Sequence, residues 1–309
     1  MRVAVVGAGP LGLFYATQLS RQGAQVTLVR RHGQPGVEAW HVVSRTSGAT
    51  FDVELPVALQ LEPSPDVIVI AVRAEQLTDE LLARVIAAQP RAIVCLTPVL
   101  GTQLDAWRAE HPELTMAMPA VAAELSERTL GYWVAPAIWG APSTLIERRG
   151  DNPALHELVE LLRRAGLAVS WVSDARERTL ANTVALFPLH VAVYLEPSMR
   201  RWLEQPRLTN ELAAAIGRAM RLAVQLGPVD PGLRALGIWL SRGWRVRLAV
   251  RGLVRLAPRL TAFLEHHFGP KLAAQHVVLQ LDVEMLAERH RLPAPLPERW
   301  REVLSRARP

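Results

Sequence analysis

The spacing of apolar and polar residues along this chain changes character near residue 173. Before that point, short uninterrupted apolar runs recur at Val3–Val6, Val67–Val72, Ala92–Leu96 and Leu167–Val172, with a further strand-like run at Gln25–Val29. Runs of this kind suit strands buried on both faces of a parallel sheet. Between them, Leu13–Gln22, Glu75–Ala88 and Asn152–Ala165 are spaced as amphipathic helices. Trp40–Leu61 alternates and contains turn residues, which predicts short strands. Thr115–Glu147 mixes glycine, proline and β-formers, as a strand pair extending the sheet does. From Asp174 onward no strand is predicted. Helical spacing runs through Arg176–Tyr194, interrupted at Pro188, then Asn210–Leu226, Gly237–Leu256, Pro258–Phe268, Lys271–Arg289 and Pro297–Arg306. The expected architecture is α/β, with a doubly wound sheet domain over residues 1–173 followed by an all-helical domain over 174–309.

The first strand feeds directly into Gly7-Ala8-Gly9-Pro10-Leu11-Gly12, and the helix and strand that follow complete a βαβ unit. Each glycine has a physical task. The first permits a tight turn, the second lets the backbone approach a pyrophosphate, and the third lets the helix pack close to the sheet. The helix N-terminus then faces the negative charge. The GxGxxG spacing alone is a weak signal, but between a strand and a helix it is the fingerprint of a Rossmann dinucleotide site. Gly7, Gly9, Pro10, Leu11 and Gly12 are therefore the expected phosphate-binding residues.

The second strand ends at Arg30-Arg31, where an acidic residue would bind the ribose 2′-hydroxyl of NAD. Guanidinium groups suit a 2′-phosphate instead, so the expected cofactor is NADP(H), held by Arg30 and Arg31. Ligands of doubly wound sheets lie beyond the carboxyl ends of the strands. That rim also carries Arg73 and Pro98, which follow the strands at Val67–Val72 and Ala92–Leu96.

Composition narrows the class further. A chain of 309 residues suits two domains, each with its own core. The single cysteine, Cys95, cannot form an internal disulfide, and no metal-binding cluster is discernible. The N-terminus opens straight into the first strand and the longest uncharged runs are broken by proline, glycine or histidine, so a cytoplasmic protein without a membrane span is expected. Residues 1–150 carry 12 basic against 14 acidic groups, while 151–309 carry 23 against 15. Most of the excess lies between Arg234 and Arg259, where seven arginines occur without an acid, interleaved with Trp239, Trp244, Leu248, Val250 and Leu253. Such a stretch either meets an anionic partner (a membrane surface, an acidic protein or a phosphorylated substrate) or is a helix whose arginine stems cover apolar surface. Nothing else points to nucleic acid. Lys271 is the only lysine, and lysine can lose a proton near neutrality or set an ammonium on a carbonyl oxygen, as arginine cannot.

The glycine loop and the domain order resemble ketopantoate reductase, an NADPH enzyme with an all-helical second domain of the 6-phosphogluconate dehydrogenase C-terminal kind. Gly7–Gly12 is similar to its phosphate loop, and Arg31 falls where that family binds the 2′-phosphate. Arg73 replaces a cofactor-contacting lysine, and Gly101-Thr102 resembles the end of an Asn-Gly-Met-Gly loop whose asparagine matches Pro98. Arg178-Thr179-Leu180-Ala181 resembles the start of the interdomain helix, and His290-Arg291-Leu292-Pro293 the closing segment. The departures fall on the chemistry. The family's active-site lysine is here Thr179, its two helix asparagines match Thr183 and Phe187, and its acidic substrate contact falls at Gln275. A threonine supplies no ammonium to polarise a ketone.

Two readings follow. In the first, the protein is an NADPH-dependent reductase with a rebuilt pocket, lined by Phe187 and Val184, that takes a small carbonyl or imine more apolar than ketopantoate. Lys271 acts as general acid or electrophile, and Gln275, one helical turn on, orients the substrate with Thr183. His190 and His267 are spare titratable groups. In the second, the fold binds a dinucleotide without redox chemistry. A homodimer through the helical domain is expected in either.

Overall fold

The computed structural model describes residues 1–100, 103–134, 144–268 and 272–306. The chain divides into two compact units. The first ends at Arg176, and the second begins at Glu177 and also takes in Val99 and Leu100.

The first unit is a single mixed sheet. Its strands are β1 (Arg2–Val6), β2 (Gln25–Val29), β3 (Gly36–Ser44), β4 (Thr50–Ala58), β5 (Val67–Ile70), β6 (Ala92–Cys95), β7 (Leu114–Met118), β8 (Val121–Ser126), β9 (Thr129–Val134), β10 (Thr144–Glu147) and β11 (Val169–Val172). They lie in the order β11-β10-β7-β6-β5-β1-β2-β4-β3-β9-β8. The parallel centre, β7-β6-β5-β1-β2, is made of the apolar runs, and every residue of β5 and β6 is buried. Helices α1 (Pro10–Arg21), α2 (Asp79–Ala87), α3 (Gln103–Glu110) and α4 (Pro153–Arg164) connect or flank the strands. The helix expected over Glu75–Ala88 is a 3-10 turn at Ala74–Gln76 followed by α2. The restart comes at Thr78, whose hydroxyl caps α2 by accepting from the Leu81 amide at 3.2 Å.

Two expectations understated the strands. Trp40–Leu61 belongs to a long antiparallel hairpin, β3 with β4, whose β4 pairs with β2. Among the described residues, Thr115–Glu147 holds four strands, counting β7, which begins at Leu114, rather than a pair. β8 and β9 form a hairpin that joins β3, and β10 runs antiparallel to β7. Both hairpins attach through partners far along the chain, which local spacing does not reveal.

The second unit is helical among its described residues: α5 (Ala175–Leu195), α6 (Met199–Trp202), α7 (Pro206–Leu226), α8 (Pro231–Leu240), α9 (Gly243–Leu256), α10 (Pro258–His267), α11 (Ala273–Arg289) and α12 (Glu298–Arg306). α5 runs unbroken through Pro188, although proline removes one helix bond and crowds the carbonyl four residues back. Val184, Phe187 and Val191, all fully buried around it, hold the helix by packing. The helix expected over Gly237–Leu256 is instead α8 and α9. The break lets Gly243 lie against Asn210 of α7, where a Cβ would overlap the asparagine side chain. Trp202, Phe187 and Trp300 fill the core of this unit.

Candidate functional site

Pairing register lines up the ends of four strands. Val6 lies opposite Val29 and Ile70, and Ile70 lies opposite Cys95. The residues that follow, Gly7, Arg30, Ala71 and Leu96, therefore share one rim. Gly7 turns the chain with a φ of +112°, a region that a side chain disfavours. A Cβ on Gly7 would sit 2.6 Å from the Ala71 carbonyl oxygen, and one on Gly12 would overlap the carbonyl oxygen of Gly7. Gly9 is different: among the described residues, and its chain neighbours aside, nothing lies within 4 Å of where its Cβ would be. The two outer glycines are thus closed against the protein's own backbone, and the middle one opens outward.

α1 begins immediately beyond. Gly9 is its N-cap and Pro10 its first residue, with no side-chain cap and no acid in the first turn. Its first amides are left to an external acceptor, at the positive end of the helix dipole. A glycine surface with no Cβ to fill it, beside uncapped amides, fits a pyrophosphate.

The two arginines after β2 play different parts. Arg30 is tied down, with Nη1 2.9 Å from the Glu38 carboxylate and Nη2 donating to the Gln34 carbonyl at 2.9 Å. Gly33 packs so close that a Cβ there would lie 2.9 Å from the guanidinium. Arg30 therefore orders the loop from β2 to β3. Arg31 is exposed and donates Nε to its neighbour His32 at 2.9 Å. Arg31 and His32 form an exposed hydrogen-bonded pair, and sequence spacing had not singled out His32.

Elsewhere on the rim, Arg73 precedes the 3-10 turn and pairs with Glu75 at 2.9 Å. The Thr97 hydroxyl donates to the Val72 carbonyl at 2.8 Å, joining the ends of β5 and β6 just before the half-buried Pro98. Gly101-Thr102 lies outside the described residues. Cys95 is buried and burial pushes its thiol up to about 11, so it is no nucleophile.

In the helical unit, Thr183 on α5 and Gln275 on α11 are half-buried. Lys271 lies outside the described residues, as does the side chain of His267. Phe187 and Val184 do not line an open pocket; both are completely buried in the helical core. Thr179, which the sequence resemblance sets at the position of a family lysine, is 4% exposed, and its hydroxyl has no partner among the described residues. His190 stacks on Phe268 with ring centroids 4.0 Å apart.

Three residues that the sequence had not marked also stand out. Asn182 and Asp230 are buried together and joined by Arg178, whose Nη1 lies 3.3 Å from the carboxylate. Burial holds the Asp230 carboxyl above the ordinary aspartate range despite that pairing. His276 is fully buried, and neither ring nitrogen has a partner among the described residues. The available signal was Asp230-Pro231, a helix-start pair; Asn182 and His276 carried none.

Residues 3–127 match the family described as Ketopantoate reductase PanE/ApbA. No curated protein sequence matches. Among solved structures, the dimeric ketopantoate reductase from Staphylococcus aureus has a TM-score of 0.69 at 13% identity, covering 99% of this chain and 98% of that one. A 2-dehydropantoate 2-reductase from Geobacter metallireducens GS-15 has a TM-score of 0.68 at 18% identity, with 100% of each chain covered. A D-mandelate dehydrogenase solved with NADH and anilino(oxo)acetate has a TM-score of 0.62 at 16% identity, covering 99% and 98%. The resemblance to ketopantoate reductases therefore holds at the family level over the N-terminal part and at the level of fold over the whole chain. The fold is a Rossmann-type sheet domain with a helical C-terminal domain.

Proposed function

We propose that this chain, whose N-terminal part matches the ketopantoate reductase family, is an NADPH-dependent reductase acting on the carbonyl or imine of a small substrate more apolar than ketopantoate. One observation carries the reading: Gly9 opens outward beside the uncapped start of α1, and Arg31 stands exposed on the same rim. The nicotinamide cofactor supplies a hydride when bound. The chain's own residues do the rest. Gly7, Gly9, Pro10, Leu11 and Gly12 shape the pyrophosphate cradle, and Arg31, with His32, takes the 2′-phosphate. Arg30 orders the loop that presents them, and Arg73 and Pro98 border the cofactor. Lys271 holds the proton delivered to the reduced group or polarises it, with Gln275 and Thr183 orienting the substrate. That a mandelate dehydrogenase shares the fold is in keeping with a substrate other than ketopantoate.

The test is a titration of tryptophan fluorescence with NADPH and NADH, followed by NADPH oxidation assays across small 2-oxo acids, ketones and imines. Binding that prefers NADPH, with turnover on an apolar member and little on ketopantoate, supports the reading. No binding of either nucleotide overturns it. In turnover, Lys271→Arg should abolish hydride transfer and leave NADPH affinity near normal. Light scattering checks the homodimer.

Thr179 favours a second reading. Its buried hydroxyl stands in place of the family lysine, as in a protein that binds the dinucleotide and performs no redox step. Tight NADPH binding with no oxidation by any carbonyl or imine selects it.

A further inference from the structure

The arginine-rich stretch belongs to the helical unit. α8 and α9 pack against one another and come from residues 231–264, which contain seven arginines and no acid. On α9, Trp244, Leu248, Arg251 and Arg255 are all exposed, and their spacing places them on one outward row. Val246 and Val250 face the core instead. Trp244 is 52% exposed, Leu248 50%, Ile238 of α8 58% and Leu256 87%. Four of the ten exposed large apolar side chains among the described residues thus fall in one short segment, residues 238–256.

The arginines of this face have no acid within residues 231–264 to offset them. Twelve of the arginines elsewhere are ion-paired. Among the described residues, the exposed arginines 234, 242, 251, 255 and 259 make no ion pair. The Arg245 guanidinium lies 5.2 Å from the Trp244 ring centroid, so apolar and cationic groups are held side by side at the surface.

We propose that the face of α8 and α9 carrying Ile238, Trp244, Leu248, Leu256, Arg251 and Arg255 docks on an anionic lipid bilayer. α9 lies in the headgroup plane, the tryptophan and leucine tips enter the acyl boundary, and the longer arginines reach lipid phosphates. This is surface attachment; no described helix is long and apolar enough to cross a membrane. A second copy of the chain is a poor occupant, because a two-fold contact sets the patch against itself and arginine against arginine. Nucleic acid has no use for a leucine as exposed as Leu256.

The test is co-sedimentation of the full chain with phosphatidylcholine vesicles, with and without roughly one-third phosphatidylglycerol. The expected result is binding to the anionic vesicles only, weakened by salt. It should fall at least about ten-fold both in Leu248→Ser/Leu256→Ser and in Arg251→Gln/Arg255→Gln. Circular dichroism confirms that each variant is folded. Brominated lipid should quench tryptophan emission in the wild type and less in Trp244→Phe. The proposal is overturned if the folded wild type ignores anionic vesicles, or if both variants bind as it does. It is also overturned if the patch variants instead lose self-association, or retention on RNA or on an acidic protein.

Discussion

Asn182 and Asp230 clasp each other twice. The asparagine Nδ2 donates to the aspartate Oδ2 at 2.7 Å, and the Asp230 amide donates to the asparagine Oδ1 at 3.1 Å. Both residues are buried, and the pair ties α5 to the start of α8. Asp230→Ala removes one acceptor from both the Asn182 amide and the Arg178 guanidinium and should cost about 1–2 kcal/mol, read from urea denaturation midpoints. A loss below about half a kcal/mol would mean that solvent reaches the pair.

The division of labour between Arg30 and Arg31 predicts two distinct phenotypes. Arg31→Ala should weaken NADPH binding by about ten- to a hundred-fold, the worth of a charge-assisted hydrogen bond, and leave NADH binding unchanged. Arg30→Ala should loosen the loop to β3 and affect both nucleotides alike, since the Gln34 carbonyl loses its donor and Glu38 keeps only Arg128. Calorimetric titration of the two variants separates these patterns. Equal selectivity loss in both contradicts the assignment.

Within the glycine loop, Gly12→Ala pushes a methyl onto the Gly7 carbonyl and should destabilise the fold itself by about 2 kcal/mol or more. Gly9→Ala meets no neighbouring atom among the described residues, so its melting temperature should stay within a degree or two of the wild type. It should nonetheless bind NADPH poorly, because the methyl occupies the cofactor's approach. Normal affinity in a folded Gly9→Ala protein would falsify the placement of the pyrophosphate there.

His276 supplies a pH dependence. Its ring packs edge-on to Tyr194 at 5.7 Å, and burial lowers its pKa from 6.5 to about 4. A base whose pKa is depressed by folding contributes stability that is complete above 6.5 and is lost as pH falls toward about 4, because the unfolded chain takes up the proton first. The slope in that window reaches up to about 1.4 kcal/mol per pH unit. His276→Phe should flatten it and be near neutral at pH about 7, since an apolar ring replaces unpaired polar atoms. Urea unfolding of both proteins at several pH values checks the difference in slope.

Most of the parallel centre of the sheet was legible because β1, β5 and β6 are continuous apolar runs, and the turn from β1 into α1 because Gly7, Gly9 and Gly12 lie close together in sequence. The hairpins were harder, since β3 and β9 become neighbours only through pairing of His41 with Thr129 and Ser44 with Tyr132. Pro188 was misleading for a similar reason. Its local cost is real, but the buried side chains around it outweigh that cost. The same applies to Ser241-Arg242, where no proline or obligatory turn signalled the break between α8 and α9.

By itself the sequence determined the βαβ unit, the glycine turn, the basic end of β2 and the switch from sheet to helix. Each of these is written in residues a few positions apart, within reach of backbone sterics and hydrophobic period. Tertiary structure alone decided which arginine stays exposed, because Glu38 consumes Arg30. It alone buried His276 and joined Asn182 to Asp230, and it left the α9 arginines without acids. Those outcomes depend on which distant side chains share a neighbourhood once the core has closed, and charge pairing and burial are properties of that neighbourhood.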